Sequence, residues 1–462
     1  MKRELSRRRV LRACSFAVLA PALLAPGKVW AQALRGGLET EIGGGIDATH
    51  EGLNPGAPDD QSEALTKALR KAATEGRPLF LPPGRYEVGE TLLPNSAQIV
   101  GIPGQSRIVL RGGTALLKAR QADRVRLEGL VLEGRGVPLG SSEAALFDAE
   151  DVADLVLDDC EILESGGSGA RLRACAGRVE NSRFQSIGAI GLLLDQSRGM
   201  RASGNVVTDC GDTGILVSRD AEGDDGTIVT QNRVSHIRAD SGGTGQNGNG
   251  INLDKANGVI VADNRVDDCA FSAIRCFSSD AIAITGNIAT KSGEMALYVE
   301  FAFEGAIVAN NLIDGGNGGI SFANFAEHGG RLGTCSGNIV RNIRGGPTYP
   351  DGNLQIGAGI AAEADVAITG NVVEDAVWGL QLGWGPYLRD VTATGNVIRR
   401  TKIGIAVSVV EGAGPALIAD NLISGAEQGA ILGTRWAEIA TGELIDGGET
   451  VPGLSLEGNR RG

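Results

Sequence analysis

Between Leu127 and Ile431 the apolar residues fall at every second position in short runs, and no stretch repeats them at the helical period. Alternation of this kind, broken by Gly, Asn and Asp, predicts short strands joined by tight turns. The runs carry a returning phrase, an Asn followed by an alternating apolar pair, such as Gly-Asn-Val-Val at 204–207, Asp-Asn-Arg-Val at 263–266 and Gly-Asn-Ile-Val at 337–340. Its asparagines, at 205, 232, 264, 287, 311, 338, 371, 396 and 421, lie 23 to 33 residues apart. A second phrase, a small residue then an apolar one, opens a further strand nine or ten residues later in most repeats, as at Gly214-Ile215, Gly319-Ile320 and Gly404-Ile405.

So short a unit cannot hold a crossover helix and two strands. It predicts an all-β chain, a single-stranded right-handed parallel β-helix of about twelve rungs with one repeat per rung. With rungs ~4.8 Å apart the rod is roughly 58 Å long. At each bend the Asn amide can bond its equivalent one rung away, and Asn tolerates left-handed backbone, so the asparagines are expected to form a structural ladder without chemistry. Composition fits thin aliphatic layers, since 70 of 462 residues are Gly and only 18 are aromatic. Residues 116–462 are assigned to the repeats and 47–115 to an N-terminal cap with the first strands. In that cap Asp60 and Glu63 make a capping box, and Ala64, Leu65, Ala68, Leu69 and Ala72 give a helix one apolar face that ends near Gly76. A helix laid across the end of the rod would block edge-to-edge pairing.

Residues 1–31 read as an export leader and 32–46 as a linker. Ser6-Arg7-Arg8-Arg9-Val10-Leu11-Arg12 resembles the twin-arginine signal, with Val10 where Phe is usual. The apolar stretch from Ala13 to Ala25 is too short to span a bilayer, and small-residue cleavage sites follow, ending at Ala31 or Ala33. The resemblance implies passage through the twin-arginine translocase to the periplasm or beyond, with no stable membrane anchor. Cleavage removes seven basic residues and one acidic one, so the net charge moves from −13 to about −19. Without a basic stripe, nucleic acid is not an expected partner. Twin-arginine export carries folded proteins, so the six remaining cysteines (160, 175, 210, 269, 276, 335) are expected mostly as buried free thiols. Cys210 and Cys269 share a repeat position but sit two rungs apart, ~9.6 Å, beyond the reach of a disulfide.

Asp59-Asp60, Ala64-Leu65 and Leu81-Pro82-Pro83-Gly84 with Tyr86 resemble the opening of pectate-lyase-superfamily β-helix proteins, and the Asn repeats resemble their coils, over about residues 47 to 460. Leader and repeats together are most similar to exported bacterial repeat proteins without an assigned activity. The resemblance implies that a substrate, here an extended polysaccharide, binds along the strand after the longest turn. Two connections are long: Asn232 to Ile251 takes 19 residues and Asn338 to Ile360 takes 22. Both enlarge the same turn before the same strand, four rungs or ~19 Å apart, and so wall off one stretch of a face.

By alternation that stretch turns outward Asn252 and Asp254, Arg275 and Phe277, Tyr298 and Glu300, then Ser321 and Ala323. Asp254, Arg275, Tyr298, Glu300 and His236 are the candidate catalytic residues. Asn252, Ser321, His328, Trp378, Trp384 and Tyr387 are the candidate substrate contacts, the aromatic rings as stacking platforms. A lyase or epimerase acting on uronate units would use Arg275, Tyr298 or His236 as base, and calcium on Asp254, Glu300 or the acidic turn Asp220, Asp224, Asp225 to neutralise the carboxylate. An inverting glycoside hydrolase would use Asp254 and Glu300, ~9.6 Å apart. The Gly-His-Gly pattern of the family's hydrolases is absent. A non-catalytic glycan-binding or envelope-structural protein is the alternative of a different class, and an ordinary surface ion-pair ladder shows the same charges. Arg275→Ala is expected to leave the fold intact and abolish glycan retention.

Overall fold

The computed structural model describes residues 44–140, 144–324, 329–349, 354–447 and 450–462. The leader lies outside the described residues. Ile46–Gly462 forms one compact unit, and its architecture is the right-handed parallel β-helix that the repeat predicts. Each coil contributes three short strands, and equivalent strands of successive coils pair in parallel to build three stacks. The first stack includes Ile228–Thr230, Ile260–Ala262 and Ile282–Thr285. The second begins after each ladder Asn, as in Arg233–Ile237 and Arg265–Cys269. The third includes Asn249–Asn257 and Ile274–Phe277. No helix among the described residues is long and apolar enough to cross a membrane.

Inward positions fill the bore in aliphatic columns, one of which stacks Val207, Val234, Val266, Ala289, Ile313, Val340 and Val373, all buried. Between the first and second stacks the asparagines form the expected ladder. The Oδ1 of Asn311 accepts both the backbone N–H and the Nδ2 of Asn287 (2.9 and 3.0 Å), while its own Nδ2 donates to the carbonyl of Ile284 (2.9 Å) and to Oδ1 of Asn338 (3.0 Å). The same bonds run from Asn205 to Asn421 and end on Asn459, one rung beyond the sequence reading. The left-handed residue is not the ladder Asn. It is the residue before it, Gly204, Gln231, Asp263, Gly286 and their equivalents, with φ from 55° to 68° among Gly, Gln, Asp and Asn. The ladder Asn itself must point inward to meet its neighbours, so the turn conformation falls one position earlier.

The small residue of the second phrase answers a close approach. A Cβ on Gly214 would lie 2.4 Å from the carbonyl of Gly250 and 2.5 Å from Val234, and Gly379 is equally crowded by Gly404 and Ile398. At the N-terminal end, helix α1 (Ser62–Glu75) buries Leu65, Ala68, Leu69 and Ala72 in the main core and ends at Gly76 in the left-handed conformation. The capping box does not form. Gln61 is the N-cap, which leaves Glu63 at the second helical position, and the Gln61 amide is used to accept the backbone N–H of Asn54 (2.7 Å). Asp60 instead accepts from the N–H of Ser62 (3.0 Å). All six described cysteines are free and buried. Cys210 and Cys269 are separated by Ile237 in their column, which keeps them two rungs apart.

Candidate functional site

Register along the third stack places Leu216, Asn252, Arg275, Tyr298, Ser321, Ala361 and Gln381 in one outward column, and Ser218, Asp254, Phe277, Glu300 and Ala323 in the next. The sequence-predicted row is therefore contiguous. It is also covered, with Asn252, Arg275, Tyr298 and Ser321 each 9% exposed or less. The cover is the two long loops, which meet at Glu294. From the second loop Tyr349 donates its hydroxyl to Glu294 Oε1 (2.5 Å) and Thr348 donates to the carbonyl of Gly293 (3.0 Å). From the first loop Gly245 packs against the same carboxyl, and its carbonyl accepts from Asn249 Nδ2 (2.8 Å). Ser272 gives Glu294 its other bond (2.9 Å). Burial pushes the Glu294 carboxyl above its ordinary range despite these donors.

Beneath the loops Arg275 is already committed. Its Nε and Nη2 both lie on Glu300 Oε2 (2.7 and 2.6 Å), and its guanidinium sits 5.0 Å from the centre of the Phe277 ring. Arg275 is held in an ion pair, and Arg275→Ala would strand a carboxylate that burial already pushes upward. Asp254 and Glu300 do not face one space. Phe277 lies between them in register, and Asp254 lines a different depression of 480 Å³ among Arg171, Arg173, Asp195 and Lys255. The paired-carboxylate geometry of an inverting hydrolase is thus not assembled from these two residues.

The open cleft lies on the C-terminal side of the second loop, with a volume of 220 Å³. Tyr298, Ser321, Ala361 and Gln381 form its floor, Ala323, Glu363 and Trp384 one side, and Gln355 and Ile356 of the second loop the other. Glu363 is 8% exposed, and its carboxylate accepts the backbone N–H of Asn324. Burial pushes its carboxyl up to about 7, so near neutrality it both gives and takes protons. Tyr298 is shifted the opposite way for a base. Burial, then the nearby Glu300 and Glu294 carboxylates, hold its hydroxyl well above 10, which makes it a hydrogen-bond donor at neutral pH. Among the described residues no Lys or Arg lines the cleft.

The other predicted residues scatter. His236 is exposed in a left-handed bend of the second stack, with Nδ1 4.0 Å from Asp209 and Nε2 3.8 Å from Asp268 on the neighbouring rungs. Trp378 is buried with Ile403, Ala406 and Leu432 and plugs the turn instead of meeting solvent. Trp384 packs edge-on against Trp436 at 5.6 Å and reaches the cleft. Tyr387, 38% exposed, sits on the short turn Gly385–Tyr387 outside the cleft lining. His328 lies outside the described residues. The expected calcium turn does not gather, because Asp220 pairs with Arg173 (3.2 Å) while Asp225 is buried against the N–H of Thr227 (3.2 Å) and near Arg219 (3.6 Å). Asp220 and Asp224 ride one long strand, Thr213–Asp224, and among the described residues no three His, Cys, Asp or Glu side chains could hold a metal. The sequence reading missed Glu294, Gln355, Glu363 and Gln381. Alternation carried one rung further, past Ala361, points to Glu363.

A family model described as right handed beta helix region matches residues 141–245 and 168–330. No curated protein matches the chain by sequence. Among solved structures, pre-mature gene product 12 of bacteriophage phi29 superposes with a TM-score of 0.52 at 14% identity, over 94% of this chain and 59% of the phage chain. The catalytic unit of a GH87 α-1,3-glucanase from Streptomyces thermodiastaticus gives 0.45 at 17%, over 90% and 69%. The A-module of a mannuronan C-5 epimerase from Azotobacter vinelandii gives 0.37 at 13%, over 90% and 99%. At such identities the likeness is one of fold.

Proposed function

We propose that this right-handed parallel β-helix chain is an exported protein of the pectate-lyase-like kind that binds an extended polysaccharide along the third stack, seating an uncharged sugar unit in the cleft. One observation carries the reading. Among the described residues, neutral hydrogen-bonding groups (Tyr298, Ser321, Gln355, Gln381) and the Trp384 ring surround one protonatable carboxyl, Glu363, on a rigid sheet face. Hydroxyls of a sugar match those groups, an indole matches its apolar face, and the volume suits one ring of a longer chain. A uronate unit draws less support, since its carboxylate would meet Glu363 and, among the described residues, neither Lys nor Arg in this lining. In this reading Glu363 is the proton donor or acceptor of any turnover. Export rests on the Ser6–Arg12 motif and the apolar stretch behind it.

Affinity electrophoresis of the mature protein through gels containing neutral or uronate polysaccharides tests the proposal. Retardation by a neutral polymer is expected, with affinity falling ~10-fold or more in Trp384→Ala. No retardation by any polymer, or retardation that Trp384→Ala leaves unchanged, would remove the cleft from consideration. New reducing ends that vanish in Glu363→Gln distinguish an enzyme from a non-catalytic glycan-binding protein.

A further inference from the structure

Over the six rungs from Ala283 to Leu422 the outer surface on either side of the asparagine ladder carries one charge, Asp420, whereas Arg233, Asp263 and Arg265 are exposed on the two rungs before. Over eight rungs, from Ile228–Thr230 to Ala416–Ala419, every regularly outward residue of the first stack is Ile, Leu, Thr, Ala or Ser. Across the ladder, the first outward position of the second stack reads Ile288, Leu312, Ile339, Val372, Val397 and Leu422 on six successive rungs. These side chains are open to solvent, Ile307 by 50%, Ile339 by 44% and Leu422 by 45%. Charged residues make up 21% of the chain, so about four of the 18 positions on these six rungs would be charged at the average rate. Two residues further along the same second-stack strands charges resume, with Asp314 paired to Arg341 (2.7 Å) and Glu374 to Arg399 (2.5 Å). The strip is depleted of charge, with Asp420 at its end, on strands that carry charge freely elsewhere.

Six rungs at ~4.8 Å and five residues of width at ~3.3 Å enclose about 480 Å². Two such strips together bury about 950 Å², the size of a weak, transient pair. The strip contains no aromatic side chain, so it lacks the rings on which sugars stack. For a chain of net charge −13, a charge-depleted flank is also the surface on which a second, equally acidic copy can approach with least repulsion.

We propose that two copies of this chain pack side by side through this strip in a two-fold dimer, each strip lying on its equivalent. Sedimentation equilibrium of the mature protein over the micromolar range tests it. The wild type is expected at the mass of two chains, and added salt should tighten the pair by screening the net charge. Ile307→Glu with Ile339→Glu should weaken association ~100-fold by placing carboxylates in the contact. Ile288→Glu with Leu422→Glu should do the same from the other column. Leu92→Glu, at a position 58% exposed but off the strip, should leave the pair intact. Circular dichroism of each variant checks that the coils persist. A single-chain mass for the wild type, an unaltered dimer in both double variants, or a series of ever larger masses would overturn the proposal.

Discussion

Glu363 shows how position in the coil sets the chemistry of one residue. The folded chain holds its proton up to about pH 7 against an ordinary value of 4.5, because burial outweighs the single donor from Asn324. The folded state therefore binds this proton more tightly than the unfolded chain, so stability is lost as pH rises from 4.5 through 7. Fully expressed, the loss is about 3 kcal/mol. Glu363→Gln keeps an acceptor for Asn324 and has no proton to lose. In urea unfolding it should be more stable than wild type by up to about 3 kcal/mol at pH 8 and equal to it at pH 4. A wild-type excess at pH 8 would show that the carboxylate is better solvated than its burial implies. The same residue marks what the sequence conceals. Alternation put Asn252, Arg275, Tyr298 and Ser321 in one column correctly, because a parallel register follows from repeat length alone. It could not show that Arg275 would be spent on Glu300, or that two loops would fold over the row, since those outcomes depend on side-chain conformations and loop paths that no periodicity encodes.

At the scale of the element, the ladder Asn is a residue whose every polar atom is used inside the rod. Asn311→Ala leaves the buried backbone N–H of Asn287 without its acceptor, leaves the Nδ2 of Asn287 the carbonyls of Val261 and Thr285 alone, and leaves the carbonyl of Ile284 without its side-chain partner. At about 1–3 kcal/mol for a buried group left unmade, the substitution should cost about 3–5 kcal/mol. Asn459 makes the same bonds to Asn421, but it is half-buried at the last rung, where water can replace it. Asn459→Ala should therefore cost about 1 kcal/mol or less. Equal losses at the two positions in chemical unfolding would mean that the ladder contributes through turn geometry and not through its buried bonds. This element was the most legible in the sequence, because one residue type recurs where one constraint recurs. Its turn chemistry was displaced by one position, since both the turn residue and the ladder residue belong to the polar set that favours bends. The capping box failed for a related reason. Asp60 and Glu63 satisfy the spacing rule, but the start of α1 is fixed by Leu65 and Leu69 reaching the end of the bore and by Gln61 tying down Asn54.

For the whole molecule, a bore sealed by three stacks and a helix has a consequence for the thiols it encloses. Cys160, Cys210 and Cys335 have their pKa pushed up to about 12 by burial, Cys175 to about 11, and Cys269 and Cys276 still higher. Thiolate is the attacking species in disulfide exchange, so near neutral pH these groups are both shielded and almost wholly protonated. An exported protein that folded first would carry them unchanged into an oxidising compartment, whereas one threaded across unfolded would expose all six to oxidation before the rod closed. The twin-arginine route proposed from Ser6–Arg12 is of the first kind, and it makes a countable prediction. Mature protein recovered from the periplasm should react with essentially no thiol reagent while native, and should yield six free thiols once denatured. Replacing the leader by one that exports unfolded chains should lower that count, because Cys210 and Cys269, two rungs apart in the rod, are free to pair in a flexible chain. Fewer than six thiols from the native leader would mean that the coils close only after export, and the folded-export reading would fall with them.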